Sequence, residues 1–371
     1  MYGLFLVKML SIQDDKLIKK NRQMKAILKI SLIISAIIFL SFSSSNNPIA
    51  KSLNANNNIN DIIHIVKNKE LYPNYGLVAA HRGYWRKHPE NSLPAYDAAV
   101  EIGADIVEMD IRLTSDDSLV VMHDACLNRV TTGEGKLRDH TWNEVKDLNL
   151  KTLNGSVTSN KIQTLRQSLN HLKGKALMSL DIKEAGSLYD DTFKKAIEIA
   201  QELGILNQLI IKGKKRKADL ETLLQQVNAT LDDFIYTPIV FSTTPNLNDH
   251  LTEIWDWADN NKIHAVELVY KQDGDAILSH IATAQSKGLW VGQYSFWPEE
   301  CGGVHAEKIP LTDCDHILRQ YDFKNNGDFT NFLNDGRGDW DWLISKGADY
   351  IITDRPNLMI NYFQAMGKRS L

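Results

Sequence analysis

Three things are scarce in this chain, and each absence narrows what it can be. Of 371 residues only 3 are cysteine, Cys126, Cys301 and Cys314, and their spacing matches no thiolate metal site. In an oxidising compartment Cys301 and Cys314 are a candidate pair, with Cys126 standing apart beside a strand end; the alternative is no disulfide at all. Long apolar runs are also missing: none reaches the roughly 20 residues that a membrane-spanning helix requires. Basic charge is scarce where it would matter. The formal net charge is −4, and residues 1–50 hold seven Lys/Arg against two Asp, which leaves about −9 for the remainder. Phosphate-backbone binding needs a basic face, so nucleic acid is not an expected partner. No internal repeat is present, and the only biased stretch is a Ser/Asn-rich segment ending near Asn60.

The N-terminus reads as an export signal. Lys16, Lys19, Lys20, Arg22, Lys25 and Lys29 precede the uncharged run Ile30–Phe42, followed by Ser43-Ser44-Ser45. Its 13 residues suit a signal-peptide core. Met24 alone would open an ordinary signal peptide, which makes residues 1–23 an over-long start. No cysteine follows the run, which disfavours a lipoprotein, and an uncleaved anchor is the competing reading. The expected location is therefore periplasmic or secreted. The expected division is 1–50 signal and linker, 51–76 a lead-in with a short helix at Ile62–Lys69, and 77–371 the folded domain.

From Val78 onward short apolar runs alternate with helical patterns. Strands are expected at Val78–Ala80, Ile106–Ile111, Leu119–His123, Leu177–Ile182, Leu209–Ile211, Tyr236–Phe241, Ala265–Tyr270, Leu289–Tyr294 and Tyr350–Thr353. Helices are expected at Leu93–Ile102, Leu165–Leu172, Phe193–Leu203, Leu220–Gln226, Asn246–Trp257, Ala276–Lys287 and Trp340–Lys346. Asn91 or Ser92 caps the first of these, and Gly103 ends it. Nine strand candidates fit an α/β fold, a (β/α)8 TIM barrel with one candidate outside it; a doubly wound open sheet is the runner-up. Two stretches break the alternation and are expected as insertions above the barrel. One, at about 124–161 after the third strand, carries a helix at Thr141–Leu148; the other lies at about 295–339.

The chemistry-bearing residues fall at strand ends. Glu108 and Asp110 alternate along Ile106–Ile111, so period-two geometry points both carboxylates to one face. Asp181 and Lys183 repeat the spacing. Side-by-side anions in a sheet interior need a cation between them, and three converging carboxylates suit a hard divalent ion, Mg²⁺ or Ca²⁺. The bland reading is structural salt bridging to Arg82, Arg112 or Lys183. His81 and His123 each end a strand beside a charged residue, Arg82 and Asp124. Two imidazoles above a divalent ion are what phosphodiester hydrolysis asks for: one takes a proton from the attacking oxygen, the other protonates the leaving alkoxide. The other nine histidines are expected in core or surface roles.

Taken in order, His81-Arg82-Gly83, Pro89-Glu90-Asn91-Ser92, Glu108-x-Asp110, His123-Asp124, Asp181-x-Lys183 and Gly347-Ala348-Asp349-Tyr350-Ile351-Ile352-Thr353-Asp354-Arg355-Pro356 resemble the glycerophosphodiester phosphodiesterases. The resemblance is dense over about 77–185, good over 340–360 and thin between. It implies a (β/α)8 barrel and hydrolysis of glycerophosphodiesters to glycerol 3-phosphate and an alcohol. By that likeness His81 and His123 take the acid/base positions and Glu108, Asp110 and Asp181 the metal positions. Arg82 and Lys183 fall on the phosphate, and Glu90 supports them.

Three departures stand out. Asp181 replaces the family's usual Glu, which implies a deeper metal or a bridging water. Lys212-Gly213 replaces a Ser-Phe pair, so Lys212 is either a solvated loop cation or a substrate group. Gly292-Gln293-Tyr294-Ser295-Phe296 replaces a Trp-Thr strand, with Tyr294 and Trp297 either packing the insertion or lining the site. These changes fall where the alcohol would bind. An alternative within the same barrel is a phospholipase of the sphingomyelinase D or phosphoinositide-specific type, making peripheral membrane contact through a rim of Phe296, Trp297 and Phe323. A non-enzymatic binding protein is a third reading, disfavoured by two proton-transfer groups beside a metal site. Oligomeric state is not legible.

Overall fold

Why the strands form is visible in their side chains. Leu77–Ala80 (β1), Ile106–Leu113 (β2), Leu177–Ile182 (β6), Leu209–Gly213 (β7), Ile235–Phe241 (β8), Ala265–Val269 (β9), Trp290–Ser295 (β10) and Tyr350–Thr353 (β13) are buried along almost their whole length. A parallel sheet covered on both faces demands that pattern. The computed structural model describes residues 58–86, 88–152, 155–295, 307–310, 316–319 and 340–369. Within them these eight strands are all parallel and run β1-β2-β6-β7-β8-β9-β10-β13, with β13 pairing back onto β1. The sheet is a closed eight-stranded barrel of TIM type.

The ninth expected strand is the one outside. Leu119–Val121 (β3) lies antiparallel on β2, with Ile111 opposite Val121. The insertion after it contains the hairpin Asn149–Lys151 (β4) and Val157–Lys161 (β5) and its own small core, including Met122, Leu127, Val130 and Leu150. Its helix is only Trp142–Val145, shorter than the expected Thr141–Leu148. In the second insertion Glu307–Pro310 (β11) and His316–Arg319 (β12) pair antiparallel. The expected signal, the rim residues Phe296, Trp297 and Phe323, and the Cys301–Cys314 pair lie outside the described residues. Cys126 is buried.

Elsewhere the expected elements appear with small shifts. Ser92 caps the helix Leu93–Glu101 by accepting from the Ala95 amide. The Ala276–Lys287 stretch is broken into a 3-10 turn, Ala276–His280, and a helix, Ile281–Ser286. A final helix, Pro356–Ala365, follows β13 and was not expected. Among the described residues no helix is long and apolar enough to cross a membrane.

Apolar packing falls into two shells around the barrel wall. Outside, Val78, Val107, Met109, Leu180, Ile211 and Val291 pack against the surrounding helices. Inside, at the N-terminal ends of the strands, Leu77, Ile106, Leu177, Ile210, Ile235, Ala265 and Trp290 fill the lumen. The lead-in helix Ile59–Lys67 closes that end, with Ile59, Ile62, Ile65 and Val66 joining the same cluster. Trp290 Nε1 donates to the Val66 carbonyl at 3.0 Å. What reads in sequence as a polar lead-in is the floor of the barrel.

Candidate active site

One turn of each strand further up, the lumen changes from apolar to ionic. Glu108 and Asp110 of β2 and Asp181 of β6 point inward, and they bring one oxygen each within 4.8 Å of one another. Asp110 and Asp181 are register partners across the β2–β6 ladder. The convergence expected from period two is therefore present.

The βα turn after β1 supplies the next layer. Arg82 adopts a left-handed φ of 57°, an uncommon conformation for a residue with a Cβ. That turn aims its backbone amide at Glu108 Oε2 (2.8 Å), while its guanidinium meets Glu90 Oε1 (2.9 Å) and Asp110 Oδ2 (3.2 Å). Gly83 follows with φ +77°, and a Cβ there would stand 2.8 Å from the Ala95 backbone, so the sharp turn excludes a side chain. Because Ser92 does the capping, Asn91 is released to the site. Its Nδ2 donates to Asp110 Oδ2 at 2.8 Å and its Oδ1 accepts from the Asp110 amide at 3.1 Å.

Each expected histidine is held by a carboxylate. His81 Nδ1 lies 2.7 Å from Asp354 Oδ1, and Trp85 Nε1 also donates to that oxygen at 3.1 Å. Burial would raise Asp354, but His81 and Arg82 outweigh it and hold the carboxyl below its usual range. An ionised carboxylate only accepts, so Nδ1 carries the proton and Nε2 is the basic nitrogen of the ring. His123 Nδ1 lies 2.8 Å from Asp124 Oδ1. Arg129, which the sequence did not single out, grips Asp124 (2.5 and 3.0 Å) and Glu90 (2.6 Å twice). His123, Asp124, Arg129, Glu90, Arg82 and Asp110 thus form one continuous ionic chain from the second histidine to the carboxylate cluster.

Cations balance the cluster. Lys183 Nζ lies 2.8 Å from Asp181 Oδ2 and 2.9 Å from Asp110 Oδ1. Lys212 is no solvated loop cation. It sits in β7 with a fully buried side chain, 3.6 Å from Glu108, 3.7 Å from Asp181 and 3.8 Å from Glu267, and it donates to Tyr294 Oη at 2.6 Å. Tyr294 lines the site, its hydroxyl 3.4 Å from Asp181. Glu267, a lone acid in the apolar strand β9, was missed; its inward register with Ala265 and Val269 was the available signal. A Cβ at Gly292 would fall 2.7 Å from Glu267 Cγ, so glycine makes the room that Glu267 uses.

The charges are tuned apart. Burial alone would raise Asp110, but Lys183, Arg82 and His81 together hold it far below the carboxylate range. Lys212 and Lys183 likewise outweigh burial at Asp181. Glu108 is raised by burial and by Asp110. Glu267 is pushed up to about 7, chiefly by burial. Lys212 stays charged despite burial because Glu267 and its other anionic neighbours surround it.

Do these residues fit a divalent ion? Glu108 Oε1 is buried and accepts no hydrogen bond; the nearest ammonium stands at 3.6 Å. Asp110 Oδ1 likewise makes no hydrogen bond, although Lys183 is close. Two such oxygens beside a third carboxylate form an all-oxygen set, and an all-oxygen set suits Mg²⁺ or Ca²⁺.

Comparison with known proteins converges on one family. The model of the glycerophosphoryl diester phosphodiesterase family matches residues 81–307. A glycerophosphodiester phosphodiesterase of Caldanaerobacter subterraneus subsp. tengcongensis is 36% identical over 139 residues, 37% of this chain and 57% of that protein. The chain spans about half the length of the first curated relatives it matches. Among solved structures, a glycerophosphoryl diester phosphodiesterase from Parabacteroides distasonis superposes with a TM-score of 0.59 at 19% identity, covering 83% of this chain and 92% of that one. A phosphodiesterase from Oleispira antarctica, in complex with the product sn-glycerol-3-phosphate, superposes at 0.53 and 16% identity, over 79% and 98%. At those identities the structural likeness is one of fold.

Proposed function

The chain belongs to the glycerophosphoryl diester phosphodiesterase family, and from that premise we propose that it hydrolyses glycerophosphodiesters to glycerol 3-phosphate and an alcohol by two-histidine acid/base catalysis. The observation that carries this reading is the meeting of Glu108, Asp110 and Asp181 within 4.8 Å, with two histidines, each bonded to its own aspartate, tied to them. His81 acts on Glu108 and Asp110 directly, and His123 is joined to Asp110 through Asp124, Arg129, Glu90 and Arg82.

In the proposed reaction the oxygen of water attacks phosphorus and the phosphorus–alcohol bond breaks. One imidazole Nε2 removes the proton from the attacking oxygen, and the other returns a proton to the departing alkoxide. Asp354 and Asp124 fix the ring orientations and favour the charged imidazolium as it forms. Arg82 and Lys183 are assigned to the non-bridging phosphoryl oxygens, where negative charge grows in the transition state. Arg82 is preset for this by its strained backbone and by Glu90. Glu108, Asp110 and Asp181 would hold a divalent ion, which supplies Lewis-acid stabilisation of the same oxygens. The lysine-rich start and the apolar run Ile30–Phe42 support an exported enzyme, a proposal that the N-terminal sequence of the mature protein tests.

The purified protein should release glycerol 3-phosphate from glycerophosphoethanolamine or glycerophosphoglycerol, with activity lost to a chelator and restored by Mg²⁺ or Ca²⁺. Turnover of phospholipid vesicles in preference to soluble diesters would instead favour the phospholipase alternative.

A further inference from the structure

The barrel mouth opens sideways into a cleft of about 780 Å³ at the ends of β6, β7 and β8. The cleft shares Asp181, Lys183, Lys212 and Tyr294 with the carboxylate cluster, so a group held at the cluster reaches it directly. That volume is in the range of sites that enclose a whole small ligand; the three carbons of glycerol would fill a small part of it. Of a diester's two arms, the alcohol is the one that varies in size and charge.

Three aromatic rings line the cleft, and a lysine covers each. Lys215 Nζ stands 5.5 Å from the Tyr189 centroid, Lys214 Nζ 4.6 Å from Phe241 and Lys212 Nζ 4.8 Å from Tyr294. Proteins hold quaternary ammonium groups on open aromatic faces, because the ring face is negative. Here those faces are already taken by the chain's own cations, so a cationic head group would meet filled rings and like charge. Two of the lysines are neutralised: Lys215 pairs with Asp190, and Lys212 lies among three carboxylates. Exposed Lys214 has no ion-pair partner among the described residues and leaves the cleft a surplus positive charge.

We propose that this cleft receives the alcohol arm of the diester and selects alcohols bearing an anionic group, a carboxylate or a phosphate, with Lys214 and Lys215 as the selecting residues. This rests on the hydrolase reading above. The test compares kcat/KM on glycerophosphoglycerol, whose alcohol is neutral, with the glycolate diester of glycerol 3-phosphate, whose alcohol arm carries a carboxylate, with glycerophosphoinositol 4-phosphate and with glycerophosphocholine. The expected result is that an anionic diester outruns the choline diester by about tenfold or more; which of the two leads identifies carboxylate or phosphate. Lys214→Glu should lower the ratio of anionic-diester to glycerophosphoglycerol kcat/KM by about fivefold and leave the melting temperature in place. Lys214→Met should give a smaller drop of the same kind. Choline turnover equal to or faster than both anionic diesters, or an anionic-to-neutral ratio unchanged in Lys214→Glu, would overturn the proposal while the hydrolase reading stands. No turnover of glycerophosphoglycerol or any other diester would overturn both.

Discussion

The floor and the mouth of this barrel are built from the same strands, a few residues apart, and they follow opposite chemistry. Along β2 the inward positions read Ile106, then Glu108 and Asp110; along β7, Ile210 then Lys212; along β9, Ala265 then Glu267. The floor is apolar, sealed by the helix Ile59–Lys67 and by Trp290. The mouth is a dense array of buried charge, in which four carboxylate oxygens of Glu108, Asp110 and Glu267 accept no hydrogen bond. A designer of stability would not place those groups there, because buried charge is costly unless its geometry is good. The floor carries the fold, and the mouth uses part of that stability to hold groups in a chemically useful state.

The comparison breaks most visibly at the histidines. His81→Ala and His123→Ala should each lower kcat/KM by about 10²- to 10⁴-fold, with little change in melting temperature. Full activity in either variant would contradict the assignment. Trp290→Ala should do the reverse. It opens a cavity in the floor and should cost about 3–5 kcal/mol of stability, measured by urea unfolding, while activity per folded molecule stays near wild type.

The smallest effects lie in the pH dependence of stability, where one segment gives both signs. Glu267, at the mouth, is pushed up to about 7 by burial. Between the ordinary carboxylate range and pH 7 the metal-free folded protein keeps a proton that the unfolded chain has lost, so its stability falls as pH rises through that window. His264, just below β9, is pushed down to about 4 by burial and by Lys67. Between its ordinary value near 6.5 and pH 4 the unfolded chain gains a proton that the folded protein refuses, so stability falls as pH falls. Over the window they share, from the ordinary carboxylate range to about 6.5, the two slopes oppose each other. Urea midpoints read from pH 4 to 8 in chelator should therefore rise more steeply with pH in Glu267→Gln, and fall more steeply with pH in His264→Gln, than in the wild type. Slopes unchanged in both variants would show that neither group titrates as its surroundings imply.

Much of the mouth was legible because period two is a strong constraint. Once Ile106–Ile111 reads as a strand, Glu108 and Asp110 must share a face, and the same holds for Asp181 and Lys183. The barrel followed from alternation, including the surplus strand, Leu119–Val121, that lies outside it. What escaped was set by tertiary packing. Arg129 sits in an irregular insertion with no period to mark it, and only the fold brings it to Glu90 and Asp124. Lys212 was open between a solvated loop cation and a substrate group because the strand was expected to end at Ile211; the strand runs to Gly213 and buries the lysine. Glu267 is a single acid in an apolar strand, weak evidence until its neighbours are known. The lead-in helix was expected, at Ile62–Lys69 against the observed Ile59–Lys67; its place at the floor was not, because only the fold brings its apolar face to the ends of the strands.

The proposed hydrolysis needs three carboxylates from two strands to form one cation site at the mouth of the barrel. Calorimetric titration of Mg²⁺ and Ca²⁺ into the metal-free protein tests it most directly, alongside Glu108→Gln, Asp110→Asn and Asp181→Asn. One ion should bind per wild-type chain, with affinity reduced by about tenfold or more in each variant. A wild-type protein that binds neither ion, or variants that all bind as well as the wild type, would contradict it.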